Sequence, residues 1–181
     1  HAYQHVLGSP LNNPHGPDQW MERLASLPLS YPPGERFHYS HATDVLGFLV
    51  GRIAGMPFED FLQSRIFGPL GMKDTDFWCP PEKRDRMAHL YRIDPQTDKL
   101  QDVSFVHEDH RPSFCGGGGG LISTLDDYLT FARLMLNKGE LNGVRLIRPE
   151  TFDLMVENRL TPAQREIPFM GIPFWMGQGF G

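Results

Sequence analysis

The feature that most constrains the fold is an apolar helical repeat in residues 42–54. Apolar side chains recur there with the three- and four-residue spacing of one helix face, at Ala42, Val45, Leu46, Leu49 and Ile53. Ser40 is a suitable N-cap for this helix, and Gly55 is a suitable stop. Phe48 and Val50 widen the apolar stripe, so we expect the helix to be largely buried.

Four further helices are predicted, with approximate ranges 20–27, 57–67, 125–136 and 149–157. Gly68-Pro69 is expected to end the second of them, because proline cannot continue a helix. The third can be capped in two ways, by Ser123 with Asp126 or by Thr124 with Asp127.

Little β structure is predicted between and after the helices. Residues 87–93 and 99–106 have the composition of short strands on either side of a turn, and Asn142-Gly143 is a second turn. Residues 175–181 are typical of a beginning strand, whereas residues 1–17 are predicted to be loop. The fold class is therefore α+β, a mostly helical layer whose apolar faces need a partner.

Length, charge and cysteine content exclude several classes of protein. The 181 residues suggest one domain, and the net charge of −5 argues against nucleic-acid binding, which requires a basic face. The sequence has neither a long apolar segment nor a run of basic residues, so no membrane partner is expected. Two cysteines form neither a zinc motif nor a disulfide framework, and the cellular compartment stays open.

The two ends predict that the chain is an internal piece of a longer polypeptide. It starts with His1 rather than methionine, its first residues lack the pattern of a signal peptide, and it stops within the apolar segment 175–181. We therefore expect residues 1–181 to form a single partial domain.

Five consecutive glycines, Gly116 to Gly120, are the most unusual local feature. Leu121-Ile122 follows them and no lysine is near, so they do not form a phosphate-binding loop. Their spacing also differs from a dinucleotide fingerprint. Two interpretations remain: a tight backbone passage before a helix, or a wall against which a substrate lies, because backbone without side chains permits close approach.

No complete catalytic or metal centre is encoded within these residues. The eight histidines include two close pairs, His38 with His41 and His107 with His110, but no zinc-site spacing, so we expect no metal and no other cofactor. No serine lies in a Gly-x-Ser-x-Gly motif, and none of the four lysines has a serine three positions before it, as a Ser-x-x-Lys motif requires. A nucleophile with its base cannot be identified.

Tyr39 is the candidate catalytic residue because it directly precedes Ser40 at the start of the apolar helix. It could instead be a half-buried tyrosine, whereas a hydrophobic staple is poorly supported because the fourth helical position is Asp44. A tyrosine base near neutral pH needs its pKa lowered by roughly three units, about 4 kcal/mol. A helix N-terminus supplies about 0.3–1 kcal/mol, so a cation from elsewhere is required.

The segment 33–47, PGERFHYSHATDVLG, resembles the middle motif of serine hydrolases of the class C β-lactamase and penicillin-binding-protein superfamily. It is most similar to the esterase branch, the family VIII carboxylesterases. The resemblance continues through residues 66–75, IFGPLGMKDT, and returns at residues 116–143. It covers most of the chain.

This resemblance implies a β-lactamase/transpeptidase-like fold, of which the chain holds mostly the helical lobe with short strands, while the central antiparallel sheet is largely missing. It implies that Tyr39 is the catalytic general base, and that His41 occupies the place of the β-lactamase asparagine, which weakens a lactamase function. It also implies that Gly117, Gly118 and Gly119 border the substrate cleft. The expected substrate is a small-molecule ester, and no cofactor is implied.

Other functions stay open within and outside the superfamily. A β-lactamase, a D-alanyl-D-alanine peptidase and an acyltransferase share the motif, and a non-catalytic binding module could share the fold. A metal-binding module is a more distant alternative. Apolar helix faces that need a partner leave a homo-oligomer possible. We expect the 181-residue chain alone to be inactive.

Overall fold

The computed structural model describes residues 2–8, 14–35, 38–104 and 110–165. The strand predicted at 175–181, the histidine at position 107 and two residues of the Tyr39 motif (positions 36 and 37) lie outside the described residues. The helices are α1 (Ala2–Leu7), α2 (Pro17–Ala25), α3 (Ala42–Ala54), α4 (Phe58–Leu62), α5 (Gly68–Leu70), α6 (Leu125–Leu136), α7 (Pro149–Val156) and α8 (Pro162–Arg165). A π-helical turn, Gln63–Phe67, joins α4 to α5, and a 3₁₀ helix spans Pro81–Arg86.

The described β structure consists of two short antiparallel pairs. Strand β1 (Tyr91–Ile93) pairs with β2 (Leu100–Asp102), and β3 (Glu140–Leu141) pairs with β4 (Val144–Arg145). Asn142-Gly143 forms the turn of the second pair with φ angles of 50° and 79°. Positive φ at both central residues matches the strand twist of a tight hairpin, so the predicted turn is confirmed and is flanked by strands that periodicity could not indicate.

Most predicted helices are confirmed, two of their ends differ from the prediction, and one further helix is present. Gly68-Pro69 does not end the helix, because a π turn carries the chain on to Leu70 and Gly71 stops it with a φ of 70°. Residues 2–7 are helical rather than loop. The N-cap of α3 is His41, not Ser40.

The capping of α6 resolves the two sequence alternatives. The Thr124 hydroxyl accepts a hydrogen bond from the Asp127 backbone N–H at 3.3 Å, so the Thr124–Asp127 pair forms the cap. This bond satisfies one of the otherwise unpaired N–H groups of the first turn.

A small aromatic core joins the first helices to the segment before the glycines. Leu7, Trp20 and Phe114 are 1%, 2% and 7% exposed, and the Trp20 and Phe114 rings stack with centroids 4.9 Å apart. Such a stacked pair contributes about 0.5–1.5 kcal/mol beyond its buried area. The core therefore fixes the position of Phe114, two residues before the glycine run.

The prediction that α3 is largely buried is wrong for the described residues. Leu46, Leu49 and Ile53 are 55%, 47% and 79% exposed, whereas Gly47 is buried. The described residues contact Val45, Gly47 and Gly51, and they leave the apolar side chains of Leu46, Leu49 and Ile53 exposed. No described helix has both the length and the apolarity that a membrane span needs.

Candidate active site

Tyr39 lies on the surface immediately before α3. It is two residues ahead of the N-cap His41 and is 63% exposed. This exposure does not fit the half-buried tyrosine that the sequence left open. The phenol lies at the end of α3 where the helix dipole is positive.

His41 is held from two sides. Its Nδ1 atom lies 3.0 Å from Oδ2 of Asp44, one helical turn further on. The edge of the Trp20 ring packs on the imidazole, with centroids 5.6 Å apart and planes at 73°. The imidazole is therefore fixed both by a polar contact and by the aromatic core.

Asp44 also reaches the glycine run. Its second oxygen, Oδ1, accepts a hydrogen bond of 2.9 Å from the Gly118 backbone N–H, across 74 positions of sequence. The Asp44 side chain is 13% exposed, whereas Gly118 lies on the surface. One carboxylate thus joins His41 to the glycine run.

The glycine run packs against the first two turns of α3, backbone on backbone. A Cβ atom on Gly117 would overlap the Thr43 carbonyl oxygen, and one on Gly47 would lie 2.8 Å from the Gly117 nitrogen. No side chain fits at either position. The tight-passage interpretation is therefore correct for this part of the run.

Gly119 differs from its two neighbours, because a Cβ atom there would meet nothing within 4 Å. Residues of α3 fill the space beside Gly117 and Gly118, whereas the space beside Gly119 is open. The substrate-binding role of these three glycines stays a prediction. His41 and Gly118 are nevertheless linked, since both contact the carboxylate of Asp44.

A partly buried polar network anchors the segment that follows the glycine run. Ile122 pairs with Asp76 through two backbone hydrogen bonds of 2.8 and 3.1 Å. The Thr75 hydroxyl, 5% exposed, lies 2.8 Å from the Ser123 hydroxyl and donates to the Asp127 carboxylate at 2.9 Å. The glycine run is therefore held at α3 and again at the start of α6.

Cys115, directly before the glycines, does not supply a nucleophile. Burial, with the nearby Glu59 carboxylate, raises the pKa of the Cys115 thiol to about 12. A thiol with this pKa is protonated near neutral pH, and the thiolate is the reactive form. Within the described residues, no three His, Cys, Asp or Glu side chains are grouped to hold a metal ion.

A cavity of about 770 Å³ is lined by four cations, three of which pair with carboxylates. Lys83 and Arg86 both pair with Asp74, at 2.7 and 2.9 Å, and Arg111 pairs with Asp76 at 2.6 Å. Neither Tyr39 nor His41 lines this cavity. We therefore place the candidate site at the start of α3 and not in the cavity.

Sequence reasoning missed Asp44 and the full role of Asp127. Asp44 was considered only as a poor staple partner, although its position three residues after His41 puts both on one helix face. Asp127 was considered only as a cap, and its contact with Thr75 spans 52 positions. The signal for Asp44 was an acidic side chain within an otherwise apolar helix.

Comparison with known proteins gives a consistent result. The sequence profile of the family described as Beta-lactamase matches residues 1–178. Protein Rv1367c of Mycobacterium tuberculosis is 47% identical over 166 residues, which cover 92% of this chain and 41% of that protein. A lovastatin esterase of Penicillium rubens is 30% identical over 146 residues, covering 78% of this chain and 35% of the esterase.

A solved structure shows a similar arrangement of the backbone. A LovD6 mutant of simvastatin synthase from Aspergillus terreus matches with a TM-score of 0.66 and 27% identity, covering 91% of this chain and 41% of the synthase. The chain thus spans less than half the length of each of these proteins.

Proposed function

The chain belongs to the β-lactamase family, within the serine hydrolases of the β-lactamase and penicillin-binding-protein superfamily, and we propose that the whole protein cleaves carboxylic esters through an acyl-serine intermediate with Tyr39 as general base. The observation that carries this proposal is the position of Tyr39. It is an exposed tyrosine of the esterase-like motif, placed directly before the helix turn on which the glycine run packs.

Two further features favour an ester substrate, and the first of them argues against a lactam. His41 takes the place of the asparagine that the β-lactamase motif carries, so the amide that would bind a lactam side chain is absent. Similarity to a lovastatin esterase covers 78% of the chain. Both favour a small-molecule ester as the substrate.

The proposed chemistry divides into acylation and deacylation, and Tyr39 takes up and returns one proton in each. Tyr39 takes the proton of the nucleophilic serine as it attacks the ester carbonyl, and returns that proton to the departing alcohol. It then takes a proton from the water that attacks the acyl-serine, and returns it to the serine as the acid leaves. His41 and the residues Gly117, Gly118 and Gly119 border the acyl or alcohol part of the substrate.

The nucleophile and its lysine come from elsewhere in the whole protein, because the 181 residues contain no Ser-x-x-Lys motif. This lysine supplies the positive charge that the helix dipole cannot replace. The single partial domain of residues 1–181 is thus a contributor to the site. We expect the 181-residue chain alone to leave p-nitrophenyl esters intact.

The decisive experiment compares two tyrosine variants of the whole protein with p-nitrophenyl butyrate as substrate. We expect Tyr39→Phe to lower kcat by about 10²- to 10⁴-fold, the range for loss of a general base. Tyr91→Phe is the matched control, because Tyr91 is 51% exposed on the β1–β2 hairpin, and should retain wild-type turnover. Full turnover by Tyr39→Phe would contradict the proposal.

A substrate panel separates ester cleavage from the remaining functions. The same preparation is offered a chromogenic cephalosporin, a D-alanyl-D-alanine peptide and an ester with an added alcohol acceptor. Preferred turnover of the cephalosporin would identify a lactamase, and preferred turnover of the peptide would identify a peptidase. Acyl transfer to the alcohol would identify an acyltransferase. Binding without turnover of any of them would indicate a non-catalytic module.

A further inference from the structure

We propose that Asp44 is the positioning residue of this site: its carboxylate orients the His41 imidazole with one oxygen and holds the glycine run against α3 with the other. The inference rests on the proposed function, since it states how the groups near Tyr39 are held in position. Asp44 itself contacts neither a nucleophile nor a substrate in this account.

The two oxygens of Asp44 have separate donors. Oδ2 lies 3.0 Å from the His41 Nδ1 atom, and Oδ1 lies 2.9 Å from the Gly118 nitrogen. An ionised acceptor strengthens both bonds relative to neutral pairs. The contact is also sheltered, since the side chains of Asp44 and His41 are 13% and 27% exposed.

The contact with Asp44 determines which nitrogen of His41 carries the proton. An ionised carboxylate can only accept, so the hydrogen of a neutral imidazole lies on Nδ1 and leaves Nε2 as an acceptor. The Trp20 ring, 5.6 Å away between centroids, restricts the tilt of the imidazole. The contacts with Asp44 and Trp20 therefore fix both the tautomer and the orientation of the His41 imidazole.

The contact with the glycine run requires residues without side chains. A Cβ atom on Gly116 or Gly118 would lie 2.5 or 2.8 Å from Oδ1 of Asp44, inside the normal contact distance. The absence of these atoms is what lets the carboxylate approach the Gly118 N–H. Asp44 and the glycines are thus complementary, and removal of the carboxylate would release the run from α3.

Asp44→Asn is the sharpest variant because it preserves the size of the side chain. Its amide oxygen can still accept from Gly118, but its NH₂ group must donate to Nδ1 of His41, which moves the imidazole hydrogen to Nε2. We expect kcat/KM for p-nitrophenyl butyrate to fall about 10-fold in the whole protein, with an unchanged melting temperature. In Asp44→Ala, which loses both contacts, kcat/KM should fall about 100-fold. This is the effect expected when a reacting group is misplaced by about 1 Å.

Asp18→Asn is the matched control. Asp18 also pairs with α3, through Arg52, but it is 67% exposed and lies on α2. Its replacement removes a carboxylate contact to the same helix without touching His41 or the glycines. We expect wild-type kcat and KM.

A double-mutant cycle distinguishes positioning from general stabilisation. If Asp44 acts partly through His41, then Asp44→Ala should cost less in a His41→Ala background than in the wild type, because coupled residues are not additive. If Asp44→Ala lowers kcat/KM by the same factor in the His41→Ala background as in the wild type, the coupling is overturned. Wild-type kcat and KM in a folded Asp44→Asn protein would overturn the orienting role.

A readout without substrate separates this proposal from the proposed function. Amide hydrogen exchange at Gly118 should be faster in Asp44→Ala, and ¹⁵N spectra should show that the His41 hydrogen is on Nδ1 in the wild type and on Nε2 in Asp44→Asn. Unchanged exchange and an unchanged tautomer would overturn the Asp44 proposal even if Tyr39→Phe abolishes turnover. If these shifts occur while Tyr39→Phe stays active, the proposed function fails and the Asp44 contacts stand.

Discussion

The two faces of helix α3 differ in composition and in what they contact. On one face, Asp44, Gly47 and Gly51 lie against the glycine run and the start of α4. On the other, Leu46 and Ile53 are exposed among the described residues. Small and polar residues of α3, more than its apolar stripe, therefore determine the close packing around the candidate site.

The close-packed face should be the most sensitive to added volume. Gly117→Ala places a methyl group on the Thr43 carbonyl oxygen, and we expect it to lower the free energy of unfolding by at least about 3 kcal/mol, as severe overpacking does. Urea unfolding of the chain measures this. In Gly119→Ala the added methyl group meets nothing within 4 Å, so the free energy of unfolding should change by less than about 1 kcal/mol. Equal losses in both variants would contradict the difference in packing between the two glycines.

The partly buried polar network at the start of α6 should be the next most sensitive. Asp127→Ala leaves the buried Thr75 hydroxyl and the Asp74 N–H without their carboxylate acceptor, and we expect a loss of about 1–3 kcal/mol in unfolding free energy. Asp126→Ala is the control, because it removes an acidic residue from the same helix turn. It should cost no more than about 1 kcal/mol, and a cost equal to that of Asp127→Ala would show that only the helix dipole matters.

The open face should tolerate polar residues. We expect Ile53→Ser, at a position that is 79% exposed, to change the unfolding free energy of the 181-residue chain by no more than about 0.5 kcal/mol. Sedimentation of the same protein with Leu49→Glu and Ile53→Glu should show less self-association than the unaltered chain. A loss above about 2 kcal/mol for Ile53→Ser would show that this face is covered in solution.

The smallest expected effect is a pH dependence at the loop that leads to Thr75. Hydrogen bonds from Arg86, then Lys83, hold the pKa of Asp74 well below its ordinary value of 3.8. The folded state thus favours the ionised form, so Asp74 adds stability above pH 3.8 and loses it progressively as pH falls below that value. Melting temperatures between pH 5 and 2.5 should fall less steeply for Asp74→Asn, and parallel curves would contradict this.

Local sequence patterns predicted the elements better than their contacts. Periodicity identified α3 and α6 because each repeats apolar residues over more than two turns. It missed α1, whose six residues are too short for a periodic signal and whose Leu7 is buried by tertiary contact with Trp20. It also stopped α4 too early, since the π turn that carries the helix past Gly68 has no sequence signature.

The candidate site was predicted in its residue types and missed in its geometry. Tyr39, His41 and the glycines came from a local motif and its resemblance to a family. The hydrogen bond between Asp44 and Gly118 spans 74 positions, and no local pattern specifies a contact of that range. An acidic residue on an apolar helix and a glycine run are each ambiguous alone, and only the fold shows that they pair.

The central claim is that Tyr39 removes the proton of the nucleophile, and the acylation rate tests it most directly. Stopped-flow mixing of the whole protein with p-nitrophenyl butyrate resolves the first release of p-nitrophenolate from later turnover. Tyr39→Phe is expected to slow this acylation phase about 10²- to 10⁴-fold, while Tyr91→Phe should match the wild type. An acylation rate in Tyr39→Phe equal to that of the wild type would contradict the account.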